Sequence, residues 1–369
     1  MVADVIRRTQ AIESRYLSRT TGGSVALKAE NLQRTGSFKL RGALNKITAL
    51  EPGTEGVVAA SAGNHGQSVA YAARARGLSA TVFMPERAAL AKIAATRESG
   101  ADVVLARDSI DGCVVDARAY AEEAGFAFIH PYDDLTVIAG QGTIALELIE
   151  EVADLAKVVV PVGGGGLAAG IAAAVKASRP EVQMVGVRAS CPLADGIAIK
   201  RPGELTGPML DRLLDDLVEV GQDEIADAIM LLLERTKLVV EGAGAVGVAA
   251  LLAGRIEPAE GGTTVIVLSG GNIDTGVLAD ITRHHETARG RRLRIFVKIP
   301  DEPGSLAALL TTIGDAGVNL IDVDHVREGV GLAVAETGVE LVMETRGGDH
   351  AARLLELIDE MGYKPDGLS

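Results

Sequence analysis

Short runs of β-branched residues alternate with longer helical patterns along most of the 369-residue chain, and this alternation restricts the fold more than any other feature. Such runs are typical of strands buried on both faces, and the helical patterns between them are long enough to cross over a sheet. The sequence therefore predicts an α/β fold with parallel sheet covered by helices on both faces. The predicted strands are Val57–Ala60, Ala80–Met84, Asp102–Ala106, Lys157–Pro161, Gln183–Val187 and Thr264–Leu268, and the predicted helices include Asn64–Arg76, Thr136–Val152, Leu167–Ser178 and Asp223–Thr236.

The pattern changes after Thr287, where the polar and basic run Ala288–Arg292 predicts a linker. The residues beyond it are arranged as strand, helix, two strands and helix, which is the order of a small ferredoxin-like domain. We therefore expect a second domain, with the boundary near residue 290. Its predicted elements are Leu293–Ile299, Ser305–Asp315, Leu320–Val326, Gly338–Glu344 and Ala351–Met361.

Charge and composition exclude several classes of protein. The net charge of −14 repels phosphate backbones and anionic lipid, so we expect neither nucleic acid nor membrane as a partner. The uncharged stretch Val158–Val175 contains Pro161 and four consecutive glycines, which favours a strand, a loop and a helix start over a membrane span. Cys113 and Cys191 do not make a disulfide framework, and the N-terminal residues lack the apolar segment of a signal peptide, so we expect a cytoplasmic protein.

Lys39, within GSFKLRGALNK, is the first candidate for chemistry. A lysine at the start of a helix lies near the positive end of the helix dipole, which lowers the pKa of its ammonium group. The neutral amine is the form that bonds covalently to a carbonyl group. By itself, however, such a lysine is usually an ordinary surface residue.

A glycine-rich loop between a predicted strand and a predicted helix is the second candidate. Residues without side chains let backbone N–H groups close on a phosphate at a helix N-terminus. The same spacing fits a dinucleotide fingerprint, although the next strand ends in Arg188 and not in the acid that would bind a ribose. On the loop alone, phosphate binding and dinucleotide binding are equally open. The loop residues are Gly163, Gly164, Gly165, Gly166 and Leu167.

Two further turns directly follow predicted strands. In the first, Ser61 can cap the next helix, and the free N–H groups there can bind a carboxylate. In the second, the hydroxyl of Ser269 can bond a heteroaromatic ring nitrogen while glycines leave space for the ring. Taken alone, each segment is equally well explained as an ordinary turn at the end of a strand, with no functional role. The residues are Ser61, Ala62, Gly63, Asn64 and His65 in the first turn, and Ser269, Gly270, Gly271 and Asn272 in the second.

Five motifs together carry a family resemblance: KAENLQRTGSFKLRGA, SAGNHGQ, VPVGGGGLAAGIA, EGAGA and LSGGNID. Their order and spacing resemble those of fold-type-II pyridoxal-phosphate enzymes, in particular the threonine ammonia-lyase (threonine dehydratase) family with one C-terminal ACT domain. The resemblance covers nearly the whole chain and favours phosphate binding by the glycine loop. It implies a two-lobed fold like that of the tryptophan synthase β-subunit, with a catalytic domain at 1–288 (large lobe 1–45 and 142–288, small lobe 46–141) and an ACT-like domain at 292–369.

The resemblance also implies the cofactor, pyridoxal 5′-phosphate, and the roles of individual residues. Lys39 would bind the cofactor covalently and then act as the base, and Gly163–Leu167 would hold its phosphate. Asn64 would bond the ring hydroxyl and Ser269 the ring nitrogen, while Ser61–His65 would bind the substrate carboxylate. The implied reaction is β-elimination, which converts the small-molecule substrate L-threonine to 2-oxobutanoate and ammonia, and also L-serine to pyruvate.

Several alternatives remain at this point. Serine racemases of this fold carry a second serine at the position of Ala62, and a methyl group cannot move a proton, which argues against racemisation. The other two alternatives are a catalytically weakened amino-acid sensor and a nucleotide-binding oxidoreductase. We expect no metal, because Arg188 stands near the position of the metal-binding glutamate of racemases, and His284 and His285 form a solvated pair without further ligands.

The stretch Val187–Gly196 departs from the family pattern, because it passes almost directly from a strand to ADGIA where relatives have a longer connection. Gln10 also replaces the usual proline. Either the connection is truly short or the sequence joins over missing residues. The resemblance places this connection near the cofactor, so a short connection is the feature that supports the weakened-sensor alternative.

The segment after residue 292 resembles the first strand, loop, helix and second strand of an ACT domain. Pro303 stiffens the loop, Gly304 permits close backbone approach, and Ser305 can cap the following helix. Backbone N–H groups there would bind the carboxylate of an allosteric amino acid, and Asp301 or Asn319 its amine. We expect isoleucine or valine as the ligand and a homo-oligomer, a dimer or tetramer. The alternative is a domain that serves only for dimerisation.

Overall fold

The structure is a computed structural model that describes residues 5–198, 201–327 and 331–367. The strands, in chain order, are β1 (Ala11–Glu13), β2 (Ser24–Lys28), β3 (Gly56–Ala60), β4 (Ser79–Met84), β5 (Asp102–Leu105), β6 (Ala127–Phe128), β7 (Leu155–Pro161), β8 (Gln183–Arg188), β9 (Asp216–Glu219), β10 (Thr263–Val267), β11 (Arg292–Pro300), β12 (Asn319–Val326), β13 (Glu336–Glu344) and β14 (Pro365–Gly367). The helices are α1 (Arg15–Thr21), α2 (Lys39–Thr48), α3 (Asn64–Arg76), α4 (Leu90–Glu98), α5 (Ile110–Ala124), α6 (Leu135–Glu151), α7 (Gly166–Ser178), α8 (Thr206–Leu213), α9 (Gln222–Leu231), α10 (Gly242–Leu252), α11 (Thr275–Ala288), α12 (Ser305–Asp315) and α13 (Gly348–Glu360).

Two sheets form the first compact unit, which runs from Met1 to Ile273. The larger sheet has the order β1-β2-β10-β7-β8-β9 and is parallel except for β1, and the smaller has the order β5-β4-β3-β6 and is parallel throughout. In the larger sheet, Val265 pairs with Ala26 on one side and Val158 on the other. Every residue of β3 and β10 is buried, as parallel strands covered on both faces require. The predicted α/β fold and its parallel strands are confirmed.

Helix α2 lies where the cores of the two sheets meet. Leu40, Leu44 and Ile47 belong to the apolar core around the smaller sheet. The core around the larger sheet is built from β7, β8, β10, α6 and α7. Between α2 and α6 the backbones approach closely, because a Cβ atom on Gly140 of α6 would lie 2.7 Å from Cα of Gly42. The position of α2 thus depends on contacts with both lobes.

The second compact unit runs from Asp274 to Ser369 and has its own core. Its sheet is antiparallel with the order β12-β13-β11-β14, and α12 and α13 pack against it. The predicted β-α-β-β-α order is confirmed, and the short edge strand β14 follows it. Helix α11 falls in this unit, and only three residues separate it from β11.

Three local predictions are wrong. Ser61 does not cap α3: Gly63 occupies the N-cap position, and the Ser61 hydroxyl accepts a hydrogen bond from the Gly63 N–H at 3.1 Å. Ser305 does not cap α12, because it is already the first helical residue. His285 is 6% exposed, since α11 buries one face, so only His284 fits the predicted solvated pair.

Candidate active site

Two turns that lie far apart in sequence are joined by backbone hydrogen bonds. The Phe38 N–H donates to the Ser269 carbonyl at 3.0 Å, and the Gly271 N–H donates to the Gly36 carbonyl at 2.9 Å. Ser269 itself is buried. These bonds hold the start of α2, where Lys39 lies, beside the turn that follows β10.

Lys39 is the first residue of α2, and its Nζ donates to the Pro131 carbonyl at 2.8 Å. Burial lowers the pKa of this amine to about 8, and the nearby Glu241 carboxylate opposes the shift. The direction is the one predicted from the sequence, and its largest cause is the burial of the amine. A lowered pKa increases the neutral fraction of the amine at neutral pH, as covalent chemistry at a carbonyl requires.

Glu241 belongs to the same group of residues and was not predicted from the sequence. Its N–H donates to the Gly270 carbonyl at 3.0 Å, and its Oε1 accepts from Nδ2 of Asn64 at 2.7 Å. The Asn64 Oδ1 in turn accepts from Nδ2 of Asn272 at 2.7 Å. Burial, and next the negative charge of Asp195, raise the pKa of Glu241 to about 7. The signal in the sequence was an acid directly before a glycine-rich helix start, in EGAGA.

The side chain of His65 is buried next to the strand-ending segment at Ile129. Its buried ring contacts the Ile129 carbonyl through Nε2 at 2.9 Å, and since a carbonyl only accepts, Nε2 carries the hydrogen. Burial, together with the charge of Lys39, lowers the pKa of His65 to about 3, so the ring is neutral. The backbone N–H groups of the first turn of α3, from Asn64 onward, have no carbonyl partner within the helix and suit a carboxylate.

The glycine loop lies between β7 and α7, as predicted. Gly165 has φ +92°, a left-handed conformation that favours glycine. The ring of Tyr132 packs on Gly164, where a Cβ atom would lie 2.5 Å from it. On the same residue, the Gly164 carbonyl accepts from the buried Thr206 hydroxyl at 2.6 Å. Tyr132 and Thr206 therefore support the loop, and neither was predicted.

The segment Pro131–Tyr132 connects the two halves of the site. Its first residue accepts the hydrogen bond from Lys39, and its second packs on Gly164. The four segments that the sequence predicted to carry chemistry thus meet in one region. Backbone hydrogen bonds join the turn before Lys39 to the turn after β10, and the hydrogen bond between Asn64 and Glu241 adds the turn before α3. The segment Pro131–Tyr132 adds the glycine loop.

The short connection after β8 reaches this region. A Cβ atom on Gly163 would lie 2.7 Å from the backbone of Ile197, so the connection packs directly on the glycine loop. Asp195 pairs with Lys92 of α4 at 3.2 Å and thereby joins the larger lobe to the smaller. In the described ranges no cluster of three His, Cys, Asp or Glu side chains fits a metal ion, and no described helix is both long and apolar enough to cross a membrane.

The fold and the site define a class of protein. The sequence profile of the family described as "Pyridoxal-phosphate dependent enzyme" matches residues 2–270, and that of the ACT domain matches residues 293–360. The chain is a pyridoxal-phosphate-dependent enzyme of fold type II with a C-terminal ACT domain.

Relatives narrow this class. The L-threonine ammonia-lyase of Geobacter sulfurreducens is 44% identical over 385 residues, which cover 98% of this chain and 96% of the relative. The catabolic L-threonine dehydratase of Escherichia coli is 42% identical over 76% of this chain and 92% of its own. The chain therefore belongs to the threonine ammonia-lyase (threonine dehydratase) family. The Geobacter alignment is longer than the 369 residues of this chain, so that relative carries residues that this chain lacks.

Two solved structures show the same likeness. A threonine deaminase from Solanum lycopersicum has a TM-score of 0.72 at 34% identity and covers 76% of this chain and 84% of its own. Maize serine racemase has a TM-score of 0.72 at 32% identity and covers 78% of this chain and 95% of its own. Structural similarity at this level does not distinguish a lyase from a racemase. The distinction depends on the residues of the site.

The residues of the site fit the cofactor of the family. Among the described residues, the buried hydroxyl of Ser37 lacks a hydrogen-bond partner, although buried polar groups are ordinarily paired. It lies two residues before the Lys39 amine, whose lowered pKa suits a covalent link to an aldehyde. The four glycines at the start of α7 leave backbone N–H groups for a phosphate.

Proposed function

We propose that this chain is a threonine ammonia-lyase that converts L-threonine to 2-oxobutanoate and ammonia by β-elimination, and that it also converts L-serine to pyruvate. The proposal rests mainly on the Lys39 amine. Backbone hydrogen bonds hold the start of its helix beside the Ser269 turn, and burial lowers its pKa. The names of the relatives, and the similarity to the Geobacter relative over nearly the full length of both chains, support the same reaction. We place the catalytic domain at 1–288, the regulatory domain at 292–369, and the protein in the cytoplasm.

Four groups of residues would hold the cofactor. Lys39 would bind its aldehyde carbon, and the N–H groups of Gly163–Leu167 its phosphate. Asn64 would bond the ring hydroxyl with the amide hydrogen that Glu241 does not use. Ser269 would bond the ring nitrogen, and a hydroxyl there, unlike a carboxylate, does not favour protonation of that nitrogen.

The chain's own residues would then bind the substrate and move its protons. The N–H groups at the start of α3, within Ser61–His65, would bind the substrate carboxylate. The bound cofactor withdraws electrons from the substrate Cα and so makes its proton removable. Lys39, released from its covalent link, would take that proton as the general base. Glu241 would accept a hydrogen bond from the Asn64 amide, at 2.7 Å, and so orient that amide toward the cofactor ring. Loss of the β-hydroxyl as water then yields a product that hydrolyses to the 2-oxo acid and ammonia.

Release of 2-oxo acid from L-threonine is the experiment that separates this proposal from the amino-acid sensor. We expect the purified holo-protein to form 2-oxobutanoate in a coupled assay, continuously and with L-threonine as the limiting reactant. Binding of L-threonine with no 2-oxo acid formed would support the sensor. A requirement for a nicotinamide cofactor would support the oxidoreductase.

We expect elimination without racemisation. A racemase needs a second acid–base group on the opposite face of Cα. Ala62, which lies within the turn proposed to bind the substrate carboxylate, carries only a methyl group. Incubation with L-serine, followed by chiral chromatography, should show pyruvate and almost no D-serine. The matched variant Ala62→Ser should raise the proportion of D-serine, and D-serine at a rate close to that of pyruvate in the unaltered protein would contradict the expectation.

We also propose that the second unit binds a regulatory amino acid, with isoleucine or valine as the first candidates, and that the chain forms a homo-oligomer. The support is the ACT match and the loop at Asp301–Ser305, where Gly304 has φ +98° directly before α12. Asp301 is paired with Arg327 at 3.2 Å, and Asn319 donates to Glu344 at 3.2 Å. A ligand amine would therefore have to compete with these contacts.

Titration of the full chain with isoleucine and with valine, by calorimetry, tests the regulatory site. We expect binding of one of them and a changed kcat or KM for L-threonine, since a ligand can shift the enzyme only through unequal affinity for its states. Gly304→Val should abolish binding because valine is strained at a positive φ. The control is Arg353→Ala, in an open groove of about 890 Å³ on the same unit. No binding and unchanged kinetics would support a domain used only for dimerisation.

A further inference from the structure

Arg41 lies two residues after Lys39 on α2 and is almost wholly buried, with 1% of its side chain exposed. Its guanidinium donates from Nε and Nη2 to both carboxylate oxygens of Glu30, each at 2.8 Å. Glu30 is itself fully buried and follows β2 of the larger sheet. A two-bond contact between planar groups fixes orientation as well as distance.

The same guanidinium also contacts α6. Nη1 donates to Oε1 of Glu147 at 2.6 Å and to the Thr143 hydroxyl at 3.1 Å, and Nη2 donates to Oε2 of Glu147 at 2.9 Å. Arg41 therefore joins the first turn of α2 to two different elements of the larger lobe. The apolar side of α2 meanwhile packs on the smaller lobe.

Neighbouring charges complete this buried group. Lys28 is fully buried and contacts Glu147 at 2.7 Å and Glu151 at 3.2 Å, and the Thr9 hydroxyl donates to Glu30. The cations and carboxylates are thus paired inside the protein. Such buried pairs are seldom net stabilising compared with apolar residues of the same size, so their presence calls for a reason other than stability.

Lys39 supplies that reason. Its chemistry requires its Nζ to reach one atom of the cofactor and then the substrate proton, so the backbone from which the side chain extends must be fixed. A displacement of about 1 Å in a reacting group can lower a rate by about 100-fold. The first turn of α2 has no side-chain cap, since Phe38 occupies the N-cap position without a hydrogen-bonding group.

We propose that Arg41, oriented by Glu30 and Glu147, is a positioning residue that fixes the start of α2 and thereby places the Lys39 amine for covalent bonding and proton transfer. The inference rests on the proposed role of Lys39. It concerns geometry at the amine and not the overall stability of the fold.

Two variants test this proposal. Arg41→Lys keeps the charge but loses the two-bond contact, and it risks misfolding because a buried carboxylate is left poorly paired. The double variant Glu30→Gln/Arg41→Met removes both charges and keeps an acceptor for Thr9, so it should fold. Lys46→Met is the matched control, since Lys46 is on the same helix and pairs with Asp134 near the start of α6, at 2.6 Å, but at the far end from Lys39.

The readout is the rate at which pyridoxal phosphate and cyanoborohydride label Lys39 in the apo-protein, with kcat, KM and the melting temperature measured beside it. We expect the double variant to label Lys39 about 10- to 100-fold more slowly and to lose kcat by a similar factor, with KM changed less. The control should label like the unaltered protein. Equal labelling by the double variant would overturn the proposal. Failure of the unaltered protein to be labelled at Lys39 would instead refute the proposed function.

Discussion

Replacement of Lys39 by alanine is expected to lower kcat for L-threonine on the order of 10⁴-fold, since it removes both the covalent attachment point and the general base. The Nζ that donates to the Pro131 carbonyl is the amine that burial brings to a pKa of about 8. The visible absorbance of the bound cofactor should also disappear, although the fold should be retained, because alanine is a good helix former at the start of α2.

Lys46→Ala is the matched control for this variant. Lys46 lies on the same helix, partly exposed, and pairs with Asp134. The pair lies at the end of α2 away from Lys39, so we expect kcat within a few-fold of the unaltered protein. A Lys39→Ala protein that retains a tenth or more of the activity would contradict the assignment of Lys39.

The second large effect is expected at the glycine loop. Gly164→Ala places a Cβ atom 2.5 Å from the ring of Tyr132, which cannot yield freely because its neighbour Pro131 accepts the hydrogen bond from Lys39. Overpacking of this kind costs about 1–3 kcal/mol. We therefore expect the affinity for pyridoxal phosphate to fall roughly 10- to 100-fold, measured by titration of the apo-protein with the cofactor.

Gly207→Ala serves as the control for the loop variant. Gly207 lies on α8, next to the Thr206 that contacts the loop, but a Cβ atom there would meet its nearest neighbour only at 3.9 Å. We expect unchanged cofactor affinity. An equal loss of cofactor affinity in the two variants would contradict the prediction. It would indicate that any added side chain near the loop weakens cofactor binding, and that the contact between Tyr132 and Gly164 is not the cause.

Much of the fold follows from local pattern. The strands with β-branched runs lie within one or two residues of their predicted positions, because β-branched side chains suit an extended backbone. The predicted burial is wrong for β5, which is mostly exposed at the edge of the smaller sheet. The turns predicted to carry chemistry were those directly after parallel strands, whose ends meet at one edge of a sheet. Ser269 and the glycine loop follow β10 and β7, which are neighbours in the larger sheet, whereas Asn64 follows β3 of the smaller sheet and is joined to them through Glu241.

The residues that were missed act through contacts between distant segments. Glu241 reaches the site because its N–H bonds the Gly270 carbonyl, and Thr206 because it follows a connection that packs on the loop. Arg41 is a charge in a helix, which local pattern assigns to solvent, and its pairing with Glu30 and Glu147 explains its burial. The serine caps at Ser61 and Ser305 failed because a cap depends on the residue at which the helix begins, and local signals give that position only to within a few residues.

Identification of the lysine that binds the cofactor tests the central claim most directly. The holo-protein, reduced with borohydride and digested, should yield one pyridoxyl-labelled peptide, with the label on Lys39 within GSFKLRGALNK. Lys28 is fully buried and paired with Glu147, and Lys46 is paired with Asp134, so neither should be labelled. A label on Lys28 or Lys46, or no label on any lysine, would contradict the account.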